Sequence, residues 1–259
     1  MGELVFIGLG LWGNKDMTLA GLKEARSCEK IFAEFYTSML EAPIKKIEKM
    51  IGKPIVLLER ENVENGKIIL DEASKKKVCL LTGGDPMTAT THIDLRLRAM
   101  ERGISTKVVH GISIMTAAAG LLGLQTYKFG RTTTLAFPEQ NYFPCSPYEV
   151  IGENMKRGLH TLVLLDITKE GYMTANEGIR LLIEMERRMK GGVIGEKTLM
   201  TVVARASSPS PTIMAGYPDR LIKMDFGPPL HCIVIPGKLH FMEAKALVML
   251  AKAPEEILE

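Results

Sequence analysis

Asp85 is the residue whose setting most directly invites a chemical reading. It stands in Leu80-Leu81-Thr82-Gly83-Gly84-Asp85-Pro86-Met87-Thr88-Ala89-Thr90-Thr91-His92, a lone carboxylate at a turn built from two glycines and a proline. Glycine lets a backbone turn sharply and approach a ligand closely, and proline ends a strand. An apolar run, Val78–Leu81, precedes the turn. Helix signals follow it: Thr90 or Thr91 as a cap, then Leu95, Leu97, Ala99 and Met100. A strand, a tight acidic turn and a helix are the parts of a small-molecule site at the carboxyl edge of an α/β sheet. They are also the parts of a plain strand-to-helix turn.

A second glycine run suggests different chemistry. Gly8-Leu9-Gly10-Leu11-Trp12-Gly13 matches G-x-G-x-x-G directly after a first strand, and Glu34 lies one strand–helix–strand step later, where a ribose-binding acid sits in a dinucleotide fold. Taken literally, this means nicotinamide and an oxidoreductase. Two details argue against it. The third glycine should open a helix, yet Gly13 is followed by the polar Asn14-Lys15-Asp16. Asp16 reads as the cap of a helix that starts too late to hold a pyrophosphate. Glu34, in Phe32-Ala33-Glu34-Phe35-Tyr36, fits a strand that alternates faces.

The elements that must position these turns alternate over the first half. Strands are expected at Leu4–Ile7, Lys30–Tyr36, Ile55–Leu58, Val78–Leu81 and Lys107–His110. Helices fall between them at Thr18–Cys28, Ile44–Ile51, Ile69–Ala73 and His92–Arg102, and a small-residue helix follows at Ile114–Leu122. That order implies a mostly parallel sheet covered on both faces. Residues 124–131 read as a linker. Beyond it the strands are Thr132–Phe137, Thr161–Ile167, Leu199–Ala204, Pro211–Ala215 and Cys232–Ile235, with helices at Tyr148–Lys156, Thr174–Met189 and His240–Ala251. The second half carries more strand per helix and should form a mixed sheet. The expected architecture is two α/β domains, 1–123 and 132–259, with a cleft between them.

The totals narrow the function. The chain has 259 residues, 46% of them hydrophobic, and a formal net charge of only +3. That balance argues against a nucleic-acid or membrane surface. No apolar run is long enough to span a bilayer, and the N-terminus enters a buried strand instead of a leader. Cys28, Cys79, Cys145 and Cys232 are scattered without a C-x-x-C pair. Reduced thiols in a cytoplasmic protein, with no metal, is the simplest account.

Several segments together resemble the diphthine synthases. They include Phe6-Ile7-Gly8-Leu9-Gly10-Leu11, Ala33-Glu34-Phe35-Tyr36-Thr37-Ser38, Gly84–His92 and His110-Gly111-Ile112-Ser113-Ile114. In order after them come Tyr127-Lys128-Phe129-Gly130, His160-Thr161-Leu162, Tyr172–Glu177, Ala204-Arg205-Ala206 and Pro236-Gly237-Lys238-Leu239-His240. The resemblance runs end to end, whereas Gly-Asp-Pro alone marks only the wider tetrapyrrole-methylase-like superfamily. Gly83, Thr88 and the stretch Ala206–Pro209 depart from the usual pattern. The resemblance implies a methyltransferase that uses S-adenosylmethionine. Its acceptor would be the aminocarboxypropyl-modified histidine of translation elongation factor 2, trimethylated to diphthine, and the compact chain is most similar to archaeal members. It also implies a homodimer, to which the apolar-striped Thr174–Met189 helix could lend a symmetric face. Carried over by position, the cofactor contacts fall on Leu11, Asp85, Thr88, Ser113, Ile114, Leu165, Ala206 and His231.

Methyl transfer from a sulfonium is an in-line displacement. It needs the two reactants held together and water kept out. Asp85 can pair with the donor's ammonium or ribose hydroxyls, or form an Asx turn ahead of Pro86. Ser113 can bind, cap the following helix, or both. His92, His110, Glu139 and Asp166 lie near strand ends and are the candidates for a base. Tyr36, Tyr142 and Phe143 are the candidate aromatic walls for a methylated amine. The competing readings are a tetrapyrrole or ribosomal-RNA methylase, either of which needs a basic surface that +3 does not suggest, and a nicotinamide oxidoreductase.

Overall fold

The computed structural model describes residues 2–36, 38, 43–139, 142–168 and 171–259. Thr37, one of the motif residues above, lies outside them. The chain divides into two compact units, Met1–Ile114 and Met115–Glu259.

The first unit runs β1 (Glu3–Gly8), α1 (Leu19–Ser27), β2 (Lys30–Glu34), α2 (Ile44–Ile51), β3 (Val56–Leu57), α3 (Arg60–Asn65), α4 (Lys67–Ala73), β4 (Lys77–Thr82), α5 (His92–Glu101) and β5 (Ser105–Val109). Its strands lie in the order β3-β2-β4-β1-β5, all parallel. Alternate residues of β1 face opposite ways. Leu4 and Phe6 pack with Val63, Leu70 and Leu95 of α3–α5, while Val5 and Ile7 pack with Ala25 and Ile47 of α1 and α2. A strand buried on both faces must be apolar throughout, as Leu4–Ile7 is. Neighbouring β1 and β4 continue into helices on opposite faces, so their carboxyl ends form a topological switch point, where open α/β sheets bind ligands.

The second unit contains α6 (Ile114–Leu122, from Met115 on), β6 (Thr133–Leu135), α7 (Ser146–Lys156), β7 (Thr161–Leu165), α8 (Ala175–Met189), β8 (Met200–Ala204), β9 (Thr212–Gly216), α9 (Pro218–Leu221), β10 (His231–Ile235) and α10 (Phe241–Ala251). The sheet order is β6-β7-β10-β8-β9, with β6 and β7 parallel and the other pairs antiparallel. The sheet is therefore mixed, as the sequence suggests. Thr174 and Glu177 form a capping box that starts α8. The apolar stripe of α8, Ala175, Ile179, Leu182 and Met185, enters this unit's own core with Leu135, Val163, Val202 and Ile233. It is therefore spent inside the unit and is not a symmetric face for a partner.

Three sequence expectations differ from what is observed. α3 and α9 were not anticipated, because Arg-Glu-Asn-Val-Glu-Asn offers one apolar residue and Pro-Asp-Arg-Leu is a single turn. The division falls at the first turn of α6, between Ile114 and Met115, and not at 124–131. The reason is local packing: Gly123, at φ +69, brings the chain onto α10, where a Cβ would lie 2.5 Å from that of Ala246. The supposed linker is then pinned in place. Gly130 N–H donates to the His160 carbonyl at 2.9 Å, and His160 N–H to that of Lys128 at 2.8 Å.

Beside that segment lies a buried hub. The Glu243 carboxylate accepts from Gln125 N–H (2.9 Å), His240 N–H (2.8 Å), His160 Nε2–H (3.0 Å) and the Lys128 ammonium. Gly237 N–H donates to His160 Nδ1 at 3.0 Å, so the neutral ring carries its hydrogen on Nε2. Burial works to raise the Glu243 carboxyl, but these donors outweigh it and hold the group at about 2. Burial pushes the His160 imidazole below its usual value, against the pull of Glu243.

All four cysteines are free thiols. Among the described residues no helix is long and apolar enough to cross a membrane.

Candidate functional site

Three loops leave the carboxyl edge of the first sheet at the switch point and touch through glycine. Gly8 ends β1, and a Cβ on it would lie 2.5 Å from the Gly84 carbonyl oxygen and 2.6 Å from Gly111 N. A Cβ on Gly111 would lie 2.3 Å from that same oxygen. Gly10 and Gly84, at φ +80 and +71, form a small antiparallel bridge: Gly84 N–H donates to Gly10 O at 2.6 Å and Gly10 N–H to Gly84 O at 3.2 Å. At Gly8, Gly10 and Gly111 no side chain larger than hydrogen fits.

Asp85 stitches the junction on one side. Its Oδ1 accepts from Met87 N–H at 3.0 Å, the Asx turn named above as the alternative to ligand pairing, and from the Thr88 hydroxyl at 3.3 Å. Its Oδ2 accepts from His110 Nδ1–H at 2.7 Å and from Gly111 N–H at 3.3 Å. Burial tends to raise the Asp85 carboxyl, but Met87 and His110 prevail and hold it below the usual range. Asp16 stitches the other side: its Oδ2 accepts from Leu11 N–H (3.2 Å) and Trp12 N–H (2.9 Å). The cap of α1 is Thr18, whose hydroxyl accepts from Gly21 N–H at 3.0 Å, and not Asp16 as expected. The amides that a pyrophosphate would need are thus already taken, which removes the nicotinamide reading. Glu34 is likewise no ribose acid. It is fully buried at the end of β2 and accepts from Tyr36 N–H at 3.1 Å.

Gly84 is buried but is the least crowded of the junction glycines. A Cβ there would meet only Leu11 Cδ2 at 3.9 Å and the Ile112 carbonyl at 4.0 Å. The recess is backbone-lined, with apolar Leu11 beside it and the half-buried Ser113 and Ile114 starting the next helix. It suits a ligand recognised through backbone groups and shape. Leu11, Asp85, Thr88, Ser113 and Ile114 are therefore gathered on one sheet edge.

The other three named residues share an edge of the second sheet. Leu165 ends β7, His231 begins β10, and Ala204 at the end of β8 stands opposite His231. Ala206 follows Arg205, which adopts φ +53 and donates to the Phe226 carbonyl (2.6 Å), the Pro228 carbonyl (2.7 Å) and the Thr212 hydroxyl (2.7 Å). Arg205 thereby sets the turn that presents Ala206. Ala175 N–H, at the start of α8, donates to His231 Nδ1 at 3.1 Å, so Nε2 bears the hydrogen and donates to the Pro228 carbonyl at 3.1 Å. Burial keeps this imidazole below its usual value. Both of its nitrogens are occupied inside the protein.

The proposed bases separate clearly. The His110 side chain is 75% exposed and bound to Asp85. His92 is buried. Asp166 accepts from Phe137 N–H and Ile167 N–H, each at 2.9 Å, and is a loop fastener. Glu139 is exposed and bridges Tyr142, itself 64% exposed. Phe143 stacks under the Arg188 guanidinium at 3.8 Å. The roles of Asp16 and Gly111 were missed from sequence. The readable signal was a glycine after each of three successive sheet neighbours. Among the described residues no group of three or more His, Cys, Asp or Glu could hold a metal ion.

Comparison with known proteins shows the family. Residues 3–216 match the family model of the Tetrapyrrole (Corrin/Porphyrin) Methylases. The chain is 52% identical over 255 residues to a diphthine synthase of Methanocaldococcus jannaschii, covering 96% of this chain and 99% of that one. It is 46% identical over 259 residues to a diphthine synthase of Methanothermobacter thermautotrophicus, covering 99% and 98%. A crystal structure of a diphthine synthase superposes with a TM-score of 0.90 at 37% identity, covering 99% of this chain and 98% of that one.

Proposed function

We infer, because the chain belongs to the tetrapyrrole (corrin/porphyrin) methylase family and within it to the diphthine synthases, that the glycine junction at the carboxyl edge of its first sheet holds a sulfonium methyl donor. The protein is a methyltransferase of diphthamide biosynthesis. The donor in this reading is S-adenosylmethionine, which supplies an electrophilic methyl group. The acceptor is the amino group of the aminocarboxypropyl-modified histidine of translation elongation factor 2, in the cytoplasm. The single observation that carries the reading is the meeting of three clamped glycine loops at the switch point, where Gly84, unlike Gly8, Gly10 and Gly111, has room beside it.

Each residue then has a physical task. Leu11 gives an apolar wall, and the backbone at Gly84, Thr88, Ser113 and Ile114 supplies donors and acceptors. Asp85 fixes the loops through His110 and Gly111 and gives the site its negative charge. Leu165, Ala206 and His231 stand together on one edge of the second sheet, and the family resemblance alone assigns them to the donor. At each transfer the S–CH3 bond breaks, an N–CH3 bond forms, and the acceptor nitrogen releases one proton. His110, exposed and held by Asp85, is our candidate to take it.

The test is mass spectrometry of elongation factor 2 carrying the precursor, after incubation with this protein and S-adenosylmethionine. Three added methyl groups on that residue are expected; methylation of a tetrapyrrole or ribosomal RNA instead would overturn the reading. We also propose a homodimer. The resemblance supports it, and so do the apolar side chains exposed on α10, Phe241, Met242 and Met249. Light scattering on the same preparation should give twice the 28.6 kDa chain mass.

Asp85→Ala should weaken binding of S-adenosylhomocysteine ten- to a hundredfold, corresponding to about 1.5–3 kcal/mol for lost charge-assisted hydrogen bonds. It should also lower the melting temperature, since four donors lose their acceptor. Calorimetry with a thermal melt checks both. Unchanged affinity would remove Asp85 from the site.

A further inference from the structure

Behind the glycine junction, one face of the first sheet turns polar. Glu34 and Thr82 stand opposite each other in the β2–β4 register and are fully buried. By strand alternation they share the face of Phe32 and Leu80, which α3–α5 cover. His92, the first residue of α5, closes this chamber. Its Nε2 lies 3.8 Å from Glu34 Oε1, and its ring stacks on Phe6 with centroids 6.4 Å apart. His92 Nδ1 is 2.9 Å from the Pro86 carbonyl oxygen. A carbonyl only accepts, so Nδ1 carries a hydrogen and donates it.

Such a cluster is a poor way to stabilise a core. His92 Nε2, Tyr36 Oη and Thr82 Oγ1 are buried without a hydrogen-bond partner. Buried polar atoms of this kind cost free energy, and apolar side chains would pack against Phe6 and Leu80 without that cost. What the cluster does reach is the loop. Pro86 follows Asp85 directly, and Thr90, whose hydroxyl accepts from His92 N–H at 3.1 Å, also donates to the Pro86 carbonyl at 3.3 Å. The far end of the Gly83–Thr91 loop is thus tied back to its acidic turn through one imidazole.

We propose that Glu34 and His92 are positioning residues for methyl transfer: Glu34 buttresses the edge of the His92 ring by contact, without a hydrogen bond, and the ring, through the Pro86 carbonyl, holds the Gly84–Asp85 turn in its donor-binding form. This rests on the reading that the turn binds the methyl donor. Neither residue touches the reacting atoms. Their effect is on the shape of the recess, so their loss should appear in donor affinity before it appears in turnover at saturation.

Three variants of the full chain test this. His92→Phe keeps the ring on Phe6 but cannot donate to Pro86. His92→Asn places an amide N–H where Nδ1 was. Glu34→Gln keeps an acceptor for Tyr36 N–H and removes the charge. Calorimetry with S-adenosylhomocysteine, steady-state kinetics with precursor-bearing elongation factor 2 and a thermal melt are run on each. His92→Phe should raise the donor Kd and KM at least tenfold with kcat within about threefold. His92→Asn should recover most of that loss, and Glu34→Gln should fall between. A His92→Phe protein that melts lower but binds as tightly as wild type overturns the proposal, as does failure of His92→Asn to rescue while Glu34→Gln binds normally. Failure of the wild-type protein itself to bind S-adenosylhomocysteine would instead overturn the donor reading.

Discussion

Glu243→Ala is expected to lower the unfolding free energy by about 3–5 kcal/mol, the range for removing one partner of a buried ion pair. The variant leaves Lys128, His160 Nε2–H and the amides of Gln125 and His240 facing an acceptor that is gone. The pH dependence follows from the same site. The folded Glu243 carboxyl sits at about 2, below the roughly 4.3 of an unfolded chain, so the unfolded state binds more protons between those values. The stabilisation is complete above about 4.3 and is lost as pH falls toward 2. His160 acts in the same sense. Held below its usual value by burial, it loses stabilisation as pH falls below about 6.5. Urea denaturation of both proteins at pH 7, 5 and 3 should show a gap that narrows toward pH 3. A gap under about 1 kcal/mol at pH 7, the worth of a surface pair, would mean that the hub is not a stabilising unit.

The second large effect concerns which glycines matter. Gly111→Ala should reduce kcat/KM at least a hundredfold, about 2.7 kcal/mol of transition-state stabilisation. The added methyl would lie 2.3 Å from the Gly84 carbonyl and 2.9 Å from Gly8 Cα, both backbone and unable to swing aside. The three loops would have to separate, and the recess at Gly84 would open. Gly13→Ala should change nothing measurable, because no atom lies within 4 Å of a Cβ there and its φ of −146 suits any residue. The contrast matters because a dinucleotide fingerprint predicts the reverse ranking, with its third glycine indispensable for helix packing. Equal activity losses in the two variants would argue against the junction described above.

Much of this was legible in the chain. The unbroken apolar runs Leu4–Ile7 and Val78–Leu81 announced strands buried on both faces, and the glycines that follow them announced the edge where a ligand would sit. What stayed hidden was whatever depends on residues far apart in sequence. Nothing local marks Asp16 as the acceptor for Leu11 and Trp12 in place of a helix cap. Nothing local shows that His110 answers Asp85. The motif residues Lys128, His160, Gly237 and His240 stand far apart in the sequence and carry no assigned role there. They converge on Glu243, which the sequence offered only as a helix residue. The segment 124–131 read as a linker because it has no period of its own, yet its order comes from hydrogen bonds to His160 and Glu243 and needs none. α3 was missed because Val63 alone of its residues is apolar enough to reach the core.

The strand order β3-β2-β4-β1-β5 bears on how the chain is made. β1 is the first strand to leave the ribosome, but its neighbours in the finished sheet are β4, paired from Glu3 to Lys77, and β5, paired from Glu3 to Ser105. At ~5–20 residues per second of synthesis, on the order of 5–20 s separate β1 from its last partner. Until β4 emerges, Leu4, Val5, Phe6 and Ile7, each fully buried in the end, have no native edge to pair with, and until β5 follows one of their two edges stays unpaired. The nascent first unit must therefore remain unsettled until β5 emerges. The antiparallel partners of the second sheet are nearer in sequence, β8 beside β9 and then β10. A translational pause soon after Val109 would give the first sheet time to close before the next begins.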